Sequence, residues 1–133
     1  MALLCAYATS FAQSKTPTAA ATAFNQKFPN ATKVKWEKES ANDYEAEFEW
    51  NGEKYSANFS EKGEWLETES SFTFNQLPEK VQTAFTNSHK GKTPKAVSKI
   101  ETSKQGIIYE LEISKGLKAV ELFYKQDGTE TKE

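Results

Sequence analysis

The sequence predicts an α+β protein built from one small unit used twice, each copy a single helix followed by an antiparallel meander of about four strands. Two observations predict it. The first is a set of marker residues that recurs. Pro17 stands seven residues before Phe24 as Pro78 stands seven before Phe85. Tyr44-Glu45-Ala46-Glu47-Phe48 returns as Tyr109-Glu110-Leu111-Glu112-Ile113, and each copy closes on an aromatic-x-x-x-Gly turn, Phe59 to Gly63 and Tyr124 to Gly128. The spacing between copies runs from 61 to 65 residues. The second observation is a change of hydrophobic period within each copy, from the 3.6 of a helix to the 2 of a half-buried strand.

The first helix is expected to have Thr16 as N-cap, with Pro17 in the first turn, where its missing amide hydrogen costs nothing. Ala20, Phe24 and Phe28 then share one face, and Pro29 ends the helix. Val34 and Trp36 alternate with Lys33, Lys35 and Glu37, which predicts the first strand. In the second, Tyr44, Ala46, Phe48 and Trp50 alternate with Glu45, Glu47 and Glu49. Asn51-Gly52 tolerates positive φ at both positions and predicts a two-residue hairpin into Tyr55, Ala57 and Phe59. A turn at Glu61-Lys62-Gly63 leads to a fourth strand, with Leu66, Thr68 and Phe72 on one side and Trp65, Glu67 and Glu69 on the other.

The second copy opens at Leu77-Pro78-Glu79, where Glu79 suits the positive end of the helix dipole. Val81, Ala84, Phe85 and Ser88 form the expected stripe and Gly91 closes it. A strand from Val97 to Ile100 follows. In the next, Ile107, Tyr109, Leu111 and Ile113 alternate with Ile108, Glu110 and Glu112. After a turn at Lys115-Gly116, the strand Leu117 to Tyr124 can be phased two ways. Val120, Leu122 and Tyr124 inward is preferred, because the other phase buries Glu121. The tail after Asp127-Gly128 is short, polar and expected to fray. One helix on one small sheet makes a thin core, so the copies are expected to pack together with their sheets joined or adjacent.

Composition bounds the function. Net charge is -2 with the two signs interspersed, so there is no clustered basic face for nucleic acid. The start differs from the rest: Met1 to Ala12 has no charged residue. Leu3-Leu4-Cys5-Ala6-Tyr7-Ala8 reads as the apolar part of a secretory leader, and Ser10-Phe11-Ala12 as its cleavage site. The run is too short to span a bilayer, which takes about 20 apolar residues. Three segments are therefore expected: a leader over 1–12, a first repeat over 13–74 and a second over 75–133. Cys5 is the single cysteine, and cleavage after Ala12 leaves no thiol for a disulfide, metal site or nucleophile. The residue before Cys5 is Leu4 rather than a small one, which argues against lipid attachment there.

The motifs resemble the bacterial PepSY-like proteins of the β-lactamase-inhibitor-like group. The resembling residues are Ala23-Phe24 through Phe28-Pro29 with Val34-Lys35-Trp36, Tyr44 through Phe48 with Asn51-Gly52, Phe59 through Glu69, and Leu77-Pro78. The resemblance implies a small exported protein of tandem helix-plus-sheet repeats with a broad open sheet face. Inhibitors of this fold use such a face to bind a hydrolase. The second copy departs from the pattern in lacking a tryptophan after Gly128.

Candidate chemistry is sparse. His89, the single histidine, has neither metal-ligand partners at suitable spacing nor an orienting acid for nucleophilic catalysis. Its place near the end of the second helix explains it without chemistry. Glu45, Glu47 and Glu49, with Glu110 and Glu112, stand in period-2 rows. Such rows are solvated and paired with Lys33, Lys35 and Lys54 rather than converging on a cation or on a buried acid. Trp65, in phase with Glu67 and Glu69, is either an exposed hot-spot anchor or a side chain covered by a loop or by the other copy. Ile108 occupies the equivalent outer side of the second copy.

These readings give an exported, non-enzymatic binding module, periplasmic or secreted, without cofactor, catalytic residues or metal. Its open sheet face, carrying Trp65, Glu45, Glu47, Glu49, Ile108, Glu110 and Glu112, is expected to take a protein or peptide of the cell envelope, in an inhibitory or other role. The alternative is a binder of small ligands or cell-wall fragments with its pocket between the repeats.

Overall fold

The structure, a computed structural model, describes residues 15–133. The expected leader and Cys5 lie outside the described residues. The chain divides into two compact units, with the boundary between Glu69 and Ser70. The first holds α1 (Thr18–Lys27), β1 (Thr32–Lys38), β2 (Asp43–Trp50), β3 (Glu53–Ser60) and the start of β4 (Trp65–Phe72). The second holds the end of β4, α2 (Glu79–Ser88), β5 (Ala96–Thr102), β6 (Gly106–Lys115), β7 (Lys118–Lys125) and β8 (Glu130–Thr131). Strand order follows chain order, β1-β2-β3-β4 and β5-β6-β7-β8, with antiparallel pairing between β1, β2 and β3 and between β5, β6, β7 and β8. Each unit is thus a helix with an antiparallel meander.

In the first unit α1 starts one residue later than Thr16 could cap. Pro17 is the N-cap residue, with φ -58° and ψ 140° and no side-chain cap. Its carbonyl takes the Ala21 N–H at 3.1 Å. Ala20, Phe24 and Phe28 are buried with Ala46, Phe48, Ala57 and Phe59. The small Ala46 and Ala57 leave room for rings. Phe24 lies edge-on to Phe48 at 4.8 Å and to Trp36 at 5.4 Å between centroids. Such pairs add about 0.5–1.5 kcal/mol each beyond the area they bury. Trp50 is tied to the helix end by its Nε1–H, which donates to Pro29 O at 2.9 Å.

The Asn51-Gly52 turn forms as expected, with φ 51° and 83° and Trp50 opposite Glu53. The first strand does not keep its alternation. Lys33 adopts φ 52° and the β1–β2 register shifts between Thr32 and Lys35. A shift of this kind breaks the inward-outward phase, and Val34, expected inside, is 39% exposed.

In the second unit Pro78 is likewise the N-cap residue without a side-chain cap. A short 3-10 turn, Phe74–Gln76, leads into it through Thr73, whose N–H donates to Gln76 Oε1 at 2.8 Å. Leu77, Val81 and Phe85 pack on Val97, Tyr109, Leu111, Ile113 and Tyr124. Val120 and Leu122 join this core while Glu121 is exposed, so β7 takes the apolar phase. Ser88, expected in the helix stripe, is exposed. One turn beyond Phe85 stands His89 instead, stacked on the Phe85 ring at 5.3 Å and 26°. The tail is not frayed. β8 pairs with β7, and Gln105 holds it through Nε2 to Lys132 O at 2.9 Å and an Oε1 that accepts from Thr131 Oγ1 at 3.1 Å.

The drift in repeat spacing has a structural origin. The β1–β2 ladder reaches Lys38 opposite Tyr44. The β5–β6 ladder passes the corresponding pair, Lys99 opposite Tyr109, and continues through Ile100–Ile108, Glu101–Ile107 and Thr102–Gly106. The longer hairpin lies where the spacing grows from 61 to 65 residues.

Candidate interaction face

The second and third strands build the face. Alternation turns Ala46, Phe48, Ala57 and Phe59 toward α1, and so turns Glu45, Glu47 and Glu49 to the opposite side. Glu47 sits between Lys35 and Ser56, and Glu49 has Lys54 across the β2–β3 ladder. Lys33 Nζ reaches Glu49 Oε1 at 2.9 Å, and Lys35 Nζ reaches Glu37 Oε1 at 2.8 Å. The Lys35 ammonium is held above its ordinary value by the Glu37 hydrogen bond, then by the charges of Glu37 and Glu47. Glu47 and Glu49 therefore stand in the expected mixed row of charge.

Glu45 does not. Its β1 neighbour is Glu37, a like charge, and its β3 neighbour is Asn58. Burial pushes its carboxyl up to about 7, helped by the charge and hydrogen bond of Glu39 and by the charges of Glu47 and Glu69. The pairing of Glu45 with Glu37 is a register fact. It could have been read from sequence only by counting across the register shift in β1.

Trp65 lies elsewhere. It is half-buried against the aromatic core of the first unit. Lys27 Nζ from α1 sits 3.9 Å from its ring centroid, and its Nε1–H donates to Thr68 Oγ1 at 2.9 Å. Residues three apart on a regular strand point to opposite faces, so the Trp65–Thr68 bond marks a break in the alternation that the sequence phase assumed. Trp65 is thus covered by a side chain from its own unit's helix.

In the second unit Ile108 is opposite Ile100 on one side and Lys125 on the other. It is fully buried at 0% exposure, which corrects the expectation of an outer, accessible side chain: four consecutive residues of β6, Ile108 to Leu111, are buried, so both faces of the strand are covered there and alternation marks no outer side. Glu110, between Ser98 and Phe123, is also buried and is not a free carboxylate. Glu112 is half-buried, between Ala96 and Glu121. The predicted residues thus separate. Glu45, Glu47 and Glu49 share one face of the first unit, whereas Trp65 is half-buried against that unit's core and Ile108 and Glu110 are buried.

His89 borders a cleft of about 520 Å³ lying wholly within the second unit. Among the described residues no group of three or more His, Cys, Asp or Glu side chains is placed to hold a metal ion. No described helix is long and apolar enough to cross a membrane.

Comparison with known proteins agrees on the fold. The chain is similar over 91% of its length to 86% of a BLIP-like protein from Bacteroides fragilis, at 26% identity and a TM-score of 0.78. It is similar over 90% of its length to 86% of a DUF2874 family protein from Bacteroides ovatus, at 23% identity and a TM-score of 0.79. A protein from Bacteroides eggerthii described as "putative periplasmic" is similar over 90% of this chain and 88% of that one, at 19% identity and a TM-score of 0.79. No curated protein matches the chain. The family model described as "Putative beta-lactamase-inhibitor-like, PepSY-like" matches residues 5–54 and 42–131. With nearly the whole sequence matched in two overlapping stretches, the chain belongs to this PepSY-like, beta-lactamase-inhibitor-like family.

Proposed function

We propose that the protein is an exported, non-enzymatic binding module, a tandem repeat that presents the open sheet face of its first unit to a protein or peptide of the cell envelope. The observation that carries this reading is the row Glu45, Glu47, Glu49 on the side of β2 away from α1, in which Glu47 and Glu49 stand beside Lys33, Lys35 and Lys54. Polar groups ranked along strands at fixed spacing suit recognition of an extended or flat partner. Catalysis needs them to converge on one reacting atom. The likeness to a BLIP-like protein supports a protein partner, and inhibition is one form such binding takes. Export rests on the uncharged stretch from Met1 to Ala12 with Ser10-Phe11-Ala12 at its end, and places the module in the periplasm or outside the cell.

A photo-crosslinking side chain at Glu47 in the exported protein tests the face. An adduct of defined mass is expected from position 47 and not from Asn25, on the exposed side of α1. Glu49→Lys should weaken the adduct. With the captured partner in hand, Glu47→Lys should slow association several-fold and change its salt dependence, as charges near a contact rim do. Equal adducts from both positions, or none from 47, would retire the proposal.

A further inference from the structure

The cleft of the second unit is a second binding feature, independent of the acidic face. Its floor is aromatic: Phe85 is buried, and Phe74 lies against it at 5.7 Å between centroids and 64°. Phe72 lines the same cleft from the end of β4. The rim is the segment between α2 and β5, which brings Lys92 and Lys95 to the opening, both exposed. Three other lysines, Lys33, Lys35 and Lys99, each hold a carboxylate within 2.9 Å. For Lys92 the structure gives a long contact of 3.4 Å from Nζ to Ser114 O, a neutral acceptor. Two exposed lysine residues thus line an aromatic cleft, their long side chains free to swing an ammonium toward its mouth, and the cleft has a size typical of small-ligand sites, which span roughly 300–1,000 Å³.

The C-terminal end of α2 also borders the cleft, through Thr86 and His89. Its dipole places about half a negative charge there and fades within a turn. Two full positive charges outweigh it, so the net field at the opening favours an anion. We infer that this cleft binds a small organic acid, an aryl or short acyl carboxylate. Its apolar body would lie on Phe72, Phe74 and Phe85, and its carboxylate would meet Lys92 and Lys95. A flexible ammonium suits such a ligand, since it supplies a point charge without demanding the fixed fork geometry of a guanidinium. A cleft of this volume has room for one ring and a short chain, the size of a small free acid.

The probes are 3-phenylpropionate and its uncharged isostere 3-phenylpropionamide, titrated into the full chain and followed by amide chemical shifts. The carboxylate is expected to move the amides of His89, Gly91 and Lys92 and to bind at least five-fold more tightly than the amide at low salt. The advantage should shrink as salt rises. Lys92→Gln with Lys95→Gln should bring the carboxylate down to the level of the amide while leaving the amide's affinity unchanged. Phe74→Ala should weaken both. Equal affinity of the two probes, or shifts confined to other parts of the chain, would overturn the inference. So would a tripeptide Ala-Ala-Phe with a free carboxylate binding more tightly than 3-phenylpropionate, since the cleft would then be a peptide-terminus site. Glu47→Lys should leave these affinities within two-fold, so failure here and failure of the acidic face are separate results.

Discussion

At the scale of single residues, Gly63 and Gly128 are the glycines whose position leaves no room for a Cβ. A Cβ on Gly63 would stand 2.7 Å from Ala19 O, and one on Gly128 would stand 2.6 Å from Lys80 O, both backbone atoms that cannot swing aside. Both glycines also have positive φ, +87° and +85°. Gly63→Ala and Gly128→Ala should therefore each cost about 2–4 kcal/mol in urea unfolding, strain and overpacking together. Gly52→Ala, with φ +83° but open space around it, should cost only about 1 kcal/mol. Similar losses at all three would mean that φ alone matters and the helix contacts do not. Glu45 makes a different kind of prediction. Its folded carboxyl, near 7, lies above its ordinary value of 4.5, so the native state keeps a proton that the unfolded chain gives up. That contribution is fully present below about 4.5 and is lost as pH rises through about 7. Glu45→Gln should leave the urea midpoint almost unchanged at pH 4 and raise stability at pH 8. The gain should be about 1 kcal/mol once partial exposure is discounted. An equal effect at both pH values would remove the burial argument.

At the scale of elements, what was legible in the sequence followed from how local the governing contacts are. Both helices and their docking faces were readable because Phe24 and Phe85 recur at helical spacing with a proline ahead of them, and both are 2% exposed. Each ring anchors its helix to the strands beneath. Phe24→Ala and Phe85→Ala should each lower unfolding free energy by about 3–5 kcal/mol, the range for truncating a buried phenylalanine. Midpoints matching the wild type in denaturant would show that neither residue is an anchor. Strand faces were readable while alternation held, as with Tyr44, Ala46 and Phe48 and with Tyr109, Leu111 and Ile113, all buried. They were misread where one residue leaves the pleat. Lys33 at φ 52° exposes Val34, and the Trp65–Thr68 hydrogen bond takes Trp65 off the side assigned to it. Nothing in a linear pattern announces such a break, because the backbone register with the neighbouring strand decides it. The acidic row was legible as a row, but the isolation of Glu45 among Glu37, Glu39 and Glu69 is a property of pairing across strands.

At the scale of the whole chain, the two hydrophobic cores have no residue in common. The first is dominated by aromatic rings packed over Ala46 and Ala57, the second by aliphatic side chains around Phe85, Tyr109 and Tyr124. The same scaffold positions are filled differently. Phe28 ends the first helix face where His89 ends the second, and Trp65 follows Gly63 at the place where Glu130 follows Gly128. A repeat that keeps its anchors and varies its edges can assign a separate task to each copy. Here that means a charged sheet face in the first unit and a basic-rimmed aromatic cleft in the second. If each core governs its own strands, damage should stay local. Native-state hydrogen exchange on Phe24→Ala should show protection lost in β2 and β3 by at least ten-fold more than in β6 and β7, and Phe85→Ala should show the reverse. The anchors lie in different cores, so their removal opens different sets of amides while the other set still exchanges through larger fluctuations. Equal loss across all four strands in both variants would instead mean that the units open only together. The binding features would then be coupled through one cooperative fold, and a ligand in either site would protect the amides of both.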